Sequence, residues 1–402
     1  MSGIDRCQVA IAGAGPVGTV MATLLAQAGI SVIVLEAGQD CARDLRASTF
    51  HPPTLEMLDQ IGITPMLLDK GLKAPVYQWR DRGSGEKIEF DLSELSDITR
   101  YPFRIQCEQY HLSRALAEGL ETHPQADVRF GNRLLSFVQD DAGVDLSVET
   151  MTGIERIRAD FLIGADGANS VVRKWLGIEF DGFTYPERFL TLSTETDLAA
   201  YLPDLSYVNY VSDPSEWLVL LRVPSVWRVL VPVNGAVDEA ELTSDVNKNA
   251  IFDRLIGSGA SVNTQHRTLY KVHQRVAKSF REGRVMIVGD AAHLNNPLGG
   301  FGMNSGLHDV FNLFEKLLPV LKGQAQADPN LSLYERQRRE VTHSFIQSQT
   351  KQNMAFISGG AGAAHEARRR ELLAIQQDDA RRRAYLMRQA MFQSLEDAAL
   401  IR

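Results

Sequence analysis

An apolar stretch at residues 7–13, CQVAIAG, runs directly into GAGPVG and then into VGTVMATLLAQA at residues 17–28. This junction restricts the fold more than any other part of the chain. The first segment reads as a buried strand. The second carries small and apolar residues at helical spacing and stops at Gly29. SVIVLEA at 31–37 reads as a buried parallel strand, so the three pieces form a βαβ unit. Gly13, Gly15 and Gly18 stand in GxGxxG spacing around Pro16 and Val17. Gly13 permits the tight turn, Gly15 lets the backbone approach a pyrophosphate, and Gly18 lets the helix lie close to the sheet. The helix N-terminus offers free N–H groups to the phosphates. Glu36 ends the second strand about 20 residues beyond Gly15, where a carboxylate accepts from an adenosine ribose. Three spaced glycines alone mean little. Strand, helix and terminal acid agreeing around them predict a dinucleotide site. Glu36 also disfavours an NADPH phosphate there, because two negative groups repel.

The chain has 402 residues, enough for two closely joined domains. Its formal net charge of −8 argues against nucleic acid or an anionic membrane as main partner. Cys7, Cys41 and Cys107 include no CxxC pair, and no histidine–cysteine group has zinc spacing, so no metal is expected. The start, MSGIDRCQVAIAG, lacks signal-peptide regions, and no apolar run reaches about 18 residues. A cytoplasmic location, without membrane contact, is the expectation.

Further along, PPTLEMLDQIGI at 52–63 and residues 109–121 read as helices. Short strands fill 127–165, with a hairpin turn at DDAG, 140–143. From about 183 to 275 the chain alternates in FLTLSTET, LSYVNYVS, EWLVLLRV and VWRVLVPV, the pattern of an antiparallel sheet with one buried face. RVMIVG at 284–289 is a fully apolar strand returning to the first domain, and 331–402 reads as mostly helical. The expected organisation is α/β. A Rossmann-like dinucleotide-binding domain (1–73, 106–180 and 279–320) interweaves with an antiparallel-sheet substrate domain (74–105 and 181–278), and C-terminal helices follow at 321–402. The basic clusters at 368–370 and 381–383 have acidic neighbours, which suits a solvated helix face or a subunit contact; a homodimer stays open.

Two more motifs narrow the cofactor. DFLIGADGANSVVRKWLG spans 160–177, and GRVMIVGDAAHLNNPLGGFGMNSGLHDVFNL spans 283–313. With GAGPVG they closely resemble the group A flavoprotein monooxygenases, the para-hydroxybenzoate hydroxylase type, over residues 7–320. The resemblance implies non-covalent FAD, with its ADP half at the first motif. It implies that Asp290, after Gly289, accepts from the ribityl chain. Gly300, Gly302, Met303 and Asn304 would lie along the pyrimidine side of the flavin, where backbone N–H groups opening a helix at 304–317 stabilise negative charge on the reduced ring. Asp166 and Gly167 would serve both FAD and NAD(P)H, with Arg173 contributing to the local field. Arg46 resembles the arginine that reaches FAD, with a surface salt bridge as its other reading. Gln106 resembles the glutamine beside the flavin, or else is a strand residue without a ligand. One departure stands out: Phe301 occupies the place where the family usually has glutamine.

The resemblance implies a reaction as well. NADH or NADPH reduces the flavin, O2 forms a flavin C4a-hydroperoxide, and a small aromatic or heteroaromatic substrate takes one oxygen atom. The cofactor carries this chemistry, while the protein excludes water and orients the ring. No second GxGxxG occurs, which fits the family's lack of a separate NAD(P)H domain. Candidates for catalysis are His51, Tyr207, Tyr210 and the Pro297 carbonyl. Pocket candidates are those two tyrosines with Asn209, Trp217, Arg222 and Trp227, of which strand alternation allows only one of Asn209 and Tyr210 to face inward. His293 reads as structural or flavin-adjacent. A flavin halogenase shares this FAD domain but carries a WxWxIP motif that is absent here. An epoxidase of the same superfamily and a non-catalytic flavin-binding sensor are the remaining alternatives.

Overall fold

The computed structural model describes residues 5–43, 47–213, 216–257, 259, 262–358 and 363–402. The apolar N-terminal segment forms β1 (Asp5–Ala12), the small-residue segment α1 (Pro16–Gln27), and the next apolar run β2 (Val32–Glu36). Pro16 opens α1 at a position where its missing N–H costs nothing. The chain then makes β3 (Thr49–Phe50), α2 (Pro52–Asp59), α3 (Thr64–Lys70) and β4 (Leu72–Ala74). It leaves through β5 (Val76–Asp81) and β6 (Lys87–Asp91) and comes back as β7 (Arg104–Gln106) and α4 (Gln109–Glu121). Next come β8 (Ala126–Phe130), β9 (Arg133–Asp140), β10 (Gly143–Thr150), β11 (Gly153–Gly164) and the short α5 (Val171–Trp175).

Parallel strands in the order β8, β2, β1 and β11 make the centre of the first sheet. β1 is buried between two neighbours, which is why it reads as an unbroken apolar run rather than an alternating one. The hairpin of β9 and β10 adds antiparallel strands beside β11, and the turn at Asp140 is held by its carboxylate, which accepts from the N–H groups of Ala142 and Gly143.

The second sheet is built from β12 (Phe180–Thr194), β13 (Val208–Ser212), β14 (Leu218–Arg222) and β15 (Trp227–Asn234), then α6 (Glu239–Leu242), α7 (Asp245–Ile256) and β16 (His266–Ala277). β5 and β6 join it at one edge, where β5 pairs with β13. Its two faces are both buried, against different layers. One face, with Leu192, Leu218, Leu220, Trp227 and Val229, packs on α7. The other, with Phe189, Trp217, Val219 and Leu230, packs towards Leu298 and Met354. The α7 helix lies within a segment whose sequence reads as strand.

The chain re-enters the first sheet through β17 (Arg281–Glu282) and β18 (Val285–Ile287), which runs parallel to β11, and then adds β19 (His293–Leu294) to the second sheet beside β16. The helical remainder comprises α8 (Phe301–Leu321), α9 (Ala327–Val341), α10 (Ser348–Ser358), α11 (Ala363–Gln377), α12 (Asp379–Gln389) and α13 (Phe392–Leu400). α8 is longer at both ends than the 304–317 the sequence suggests. It starts from Gly300 at φ 71°, a left-handed conformation that suits glycine. No described helix is long and apolar enough to cross a membrane.

Candidate active site

Four motifs meet at one edge of the first sheet. Glycine-rich GAGPVG follows the carboxyl end of β1, Glu36 ends β2, Asp166 and Gly167 follow β11, and Gly289 and Asp290 follow β18. In an open parallel sheet, ligands bind outside the carboxyl ends of the strands. The packing explains each glycine differently. A Cβ on Gly18 would sit 2.0 Å from the Gly13 carbonyl oxygen, and one on Gly13 would sit 2.5 Å from that of Ala165. A Cβ on Gly15 would meet nothing within 4 Å. Gly13 and Gly18 therefore serve the protein's own packing, while Gly15 borders open space at the N-terminus of α1. That is the room a pyrophosphate needs. Glu36 is oriented by the N–H groups of Ala14 and Gly38, at 2.9 and 2.8 Å, and each oxygen retains a lone pair.

The GD turn rests on a buried ionic group. Asp309, on α8, accepts the Gly289 N–H at 3.0 Å and Arg338 Nε at 2.7 Å, and lies 2.7 Å from His293 Nε2. Burial alone would raise the Asp309 carboxyl, but His293 and Arg338 beside it hold it at about 2. His293 is thus part of the support for Gly289. Asp290 itself is exposed on the turn. Arg173 ties the DG loop to this turn, donating to the carbonyls of Ala291 and Ala168 at 2.8 Å each. Asp166 Oδ2 caps α5 through the N–H groups of Val171 and Val172, while its Oδ1 is buried without a partner.

The residues around β7 and the start of α8 show a further buried polar atom without a partner. Gln106, fully buried on β7, accepts from Thr49 Oγ1 at 3.0 Å, yet its Nε2 has no partner. A buried amide donor left alone is costly, and an acceptor on a bound flavin would satisfy it. Asn304 is a strut rather than a ligand. Its side chain donates to Thr49 and Gly300 carbonyls and accepts the His51 N–H. The backbone N–H groups of Gly302 and Met303 lie in the first turn of α8, and Met303 is nearly buried. These features fit FAD. Arg46 lies outside the described residues.

A pocket opens between these residues and the second sheet. Thr49, Arg104, Val208, Tyr210, Val219, Leu221, Leu230 and the loop Pro297–Gly300 line it. Strand parity sorts the candidates. Tyr210 shares a face with Val208 and reaches the pocket, while Asn209 points the other way and bonds to Ser206. Tyr207 precedes β13 and is 40% exposed, outside the pocket. Trp217 shares the pocket face but packs on Phe189. Trp227 faces α7, and the Arg222 guanidinium lies over its ring. His51 is fully buried, and burial, with Arg104 close by, pushes its imidazole well below the usual 6.5. The neutral ring therefore donates from Nε2 to the Gly299 carbonyl at 2.8 Å, which braces the loop. The Pro297 carbonyl accepts the Gly300 N–H.

The family described as FAD binding domain matches residues 6–349. The para-nitrophenol 4-monooxygenase of Pseudomonas sp. (strain WBC-3) is 35% identical over 356 residues, covering 87% of each chain. This chain belongs to the group A FAD-dependent aromatic monooxygenases. The 6-hydroxy-3-succinoylpyridine 3-monooxygenase HspB of Pseudomonas putida (strain DSM 28022 / S16) is 30% identical over 86% of this chain and 88% of its own. The crystal structure of p-nitrophenol 4-monooxygenase PnpA from Pseudomonas putida DLL-E4 superposes with a TM-score of 0.91 at 30% identity, covering 98% and 99% of the two chains. These relatives are monooxygenases, which favours oxygen insertion over the halogenase alternative.

Two parts of this monooxygenase's site escape sequence reading. Phe301 lies beside Gly299 and His51. It is fully buried among Val341, Phe345, Ile346 and Met391, and so anchors the start of α8 to the C-terminal helices. Arg104 carries no motif, and only its alternate spacing with Gln106 on β7 hinted that both share a face. Away from the pocket, Cys107, Glu108 and His111 have ligand atoms within 4.8 Å of one another, but burial pushes the Cys107 thiol up to about 12 and Glu108 already accepts from Ser225.

Proposed function

We propose that this chain hydroxylates a small phenolic or heteroaromatic ring, with NADH or NADPH as electron donor and O2 as oxygen source. The observation that carries the reading is the pocket itself. It sets an apolar sheet face, with Val219, Leu221 and Leu230, directly against the glycine loop 299–300 and Thr49, whose hydroxyl donates to Gln106. A flat apolar ring fits such a slot, and the few polar groups around it fix its orientation. Bound FAD supplies the redox chemistry. The chain's residues do the rest: His51 and Asn304 hold the loop, the second sheet seals the ring from water, and Thr49 lines the slot. The similarity to para-nitrophenol 4-monooxygenase supports a phenol as substrate.

For NAD(P)H, the single GxGxxG is taken by FAD, so the nicotinamide would be met transiently beside the DG loop, where Asp166 Oδ1 is an unused acceptor. The test is a screen of 4-nitrophenol, hydroxybenzoates and hydroxypyridines with the holoenzyme and each nicotinamide. Ring-stimulated NAD(P)H consumption must be accompanied by a product heavier by one oxygen atom, derived from labelled O2. Consumption that yields only hydrogen peroxide across the panel refutes the proposal.

A further inference from the structure

Arg104 is a full positive charge, 1% exposed, on the wall of the pocket. Among the described residues no carboxylate pairs with it. Its one hydrogen bond runs from Nη2 to the Gln389 carbonyl at 3.3 Å, at the C-terminal end of α12. Its Nε is buried with no partner. The Tyr77 ring lies 4.5 Å from the guanidinium, and Tyr210 meets Tyr77 edge-on. A helix end and an aromatic face supply only partial negative charge. A buried guanidinium held by so little is kept where a second, stronger counter-charge arrives. Nothing in the hydrogen bonding of Gln106 or Asn304 uses it, so the support of the flavin loop does not explain it.

We propose that Arg104 is the residue that selects for a negatively charged oxygen on the substrate ring, a phenolate or a carboxylate. The guanidinium offers a planar pair of N–H donors, which suits an anionic oxygen substituent better than a neutral one. Tyr77 and Tyr385 flank it as buried phenols that burial keeps protonated, so neither competes as a counter-ion. The inference rests on the hydroxylase reading above, because it assigns the pocket to the substrate.

Ligand binding to the holoenzyme, read from the flavin absorbance, tests it with matched pairs: 4-nitrophenolate against 4-nitroanisole, and benzoate against benzamide. The wild type should prefer at least one anion over its neutral partner by tenfold or more. Arg104→Gln should bring that ratio close to one, and Arg104→Lys should keep part of it, both with unchanged FAD affinity. The two pairs separate phenolate from carboxylate recognition. A wild type without anion preference in either pair overturns the proposal. So does an Arg104→Gln protein that keeps the preference, or one that loses FAD instead. If Arg104→Gln does not fold, the lysine variant carries the test: an undiminished ratio there also overturns it. Hydroxylation that proceeds without anion preference defeats this inference alone, whereas Arg104-dependent binding without any hydroxylated product defeats the functional reading alone.

Discussion

Replacing Gly15 by alanine should separate cofactor binding from folding. Gly15 caps α1 at φ −72°, ψ 180°, extended backbone that alanine adopts freely. The new Cβ would meet no protein atom within 4 Å. Its cost to the apoprotein is limited to the poorer N-cap, about 1 kcal/mol at most. With FAD bound, that methyl group stands between the backbone and the pyrophosphate. Pushing the phosphate away from the free N–H groups of the first turn weakens at least one charge-assisted hydrogen bond, worth about 1.5–3 kcal/mol. The FAD dissociation constant should therefore rise roughly tenfold to 150-fold. Titration of the apoprotein with FAD, followed by flavin fluorescence, measures it, with thermal melting of the same sample as the control. Gly18→Ala provides the contrast, because its Cβ would lie 2.0 Å from a backbone oxygen and the fold itself should suffer. A Gly15→Ala protein that melts like the wild type and binds FAD within about twofold of it would refute the placement of the pyrophosphate. An apoprotein that fails to fold would refute the claim that the space is free.

Asp309→Ala strands the buried Arg338 and should cost about 3–5 kcal/mol in urea unfolding. Because the Asp309 carboxyl is held at about 2, below its ordinary 3.8, its contribution is fully present above pH 3.8 and fades as pH falls towards 2; the wild type's advantage over the variant should shrink over that window. Gln106→Leu removes a donor that the apoprotein leaves unsatisfied, so apoprotein stability should change by less than about 1.5 kcal/mol while FAD affinity falls severalfold; unchanged affinity would take Gln106 out of the cofactor site. Asp290→Ala should weaken FAD roughly tenfold to a hundredfold by the loss of a charge-assisted bond, and an unaltered titration curve would remove Asp290 from contact with the ribityl chain.

The cofactor cradle was legible because its physics is local. A glycine forced by a turn, a helix that must start there and an acid at the next strand's end lie within one short stretch, residues 13–36. The pocket was not, because it depends on parity and phase. LSYVNYVS reads as one strand, yet β13 begins at Val208, which leaves Tyr207 in solvent and turns Tyr210 inward. Both faces of the second sheet are buried, so apolar character could not tell which face holds the substrate, and Trp227 proved to face α7. Phe301 marks where the motif departs from the family, and the motif alone does not say where its ring goes. The helix starts at Phe301 rather than Asn304, and this phase sends the ring towards the tail. Arg104 and Asp309 act through partners far away in sequence, Gln389 and Arg338, and no short motif records such a pairing.

The order of strands has a consequence for how the chain is made. β1 is made well before one of its two sheet neighbours, β11, which pairs Phe161 with Val9, and β18 extends the sheet only at Val285. The Gln389 carbonyl, which accepts from the pocket's Arg104, comes later still. A nascent chain must therefore carry β1 with one edge unpaired until β11 has been made, since long-range pairing closes slowly and late. Removing the last two helices would leave an incomplete pocket on an otherwise finished sheet.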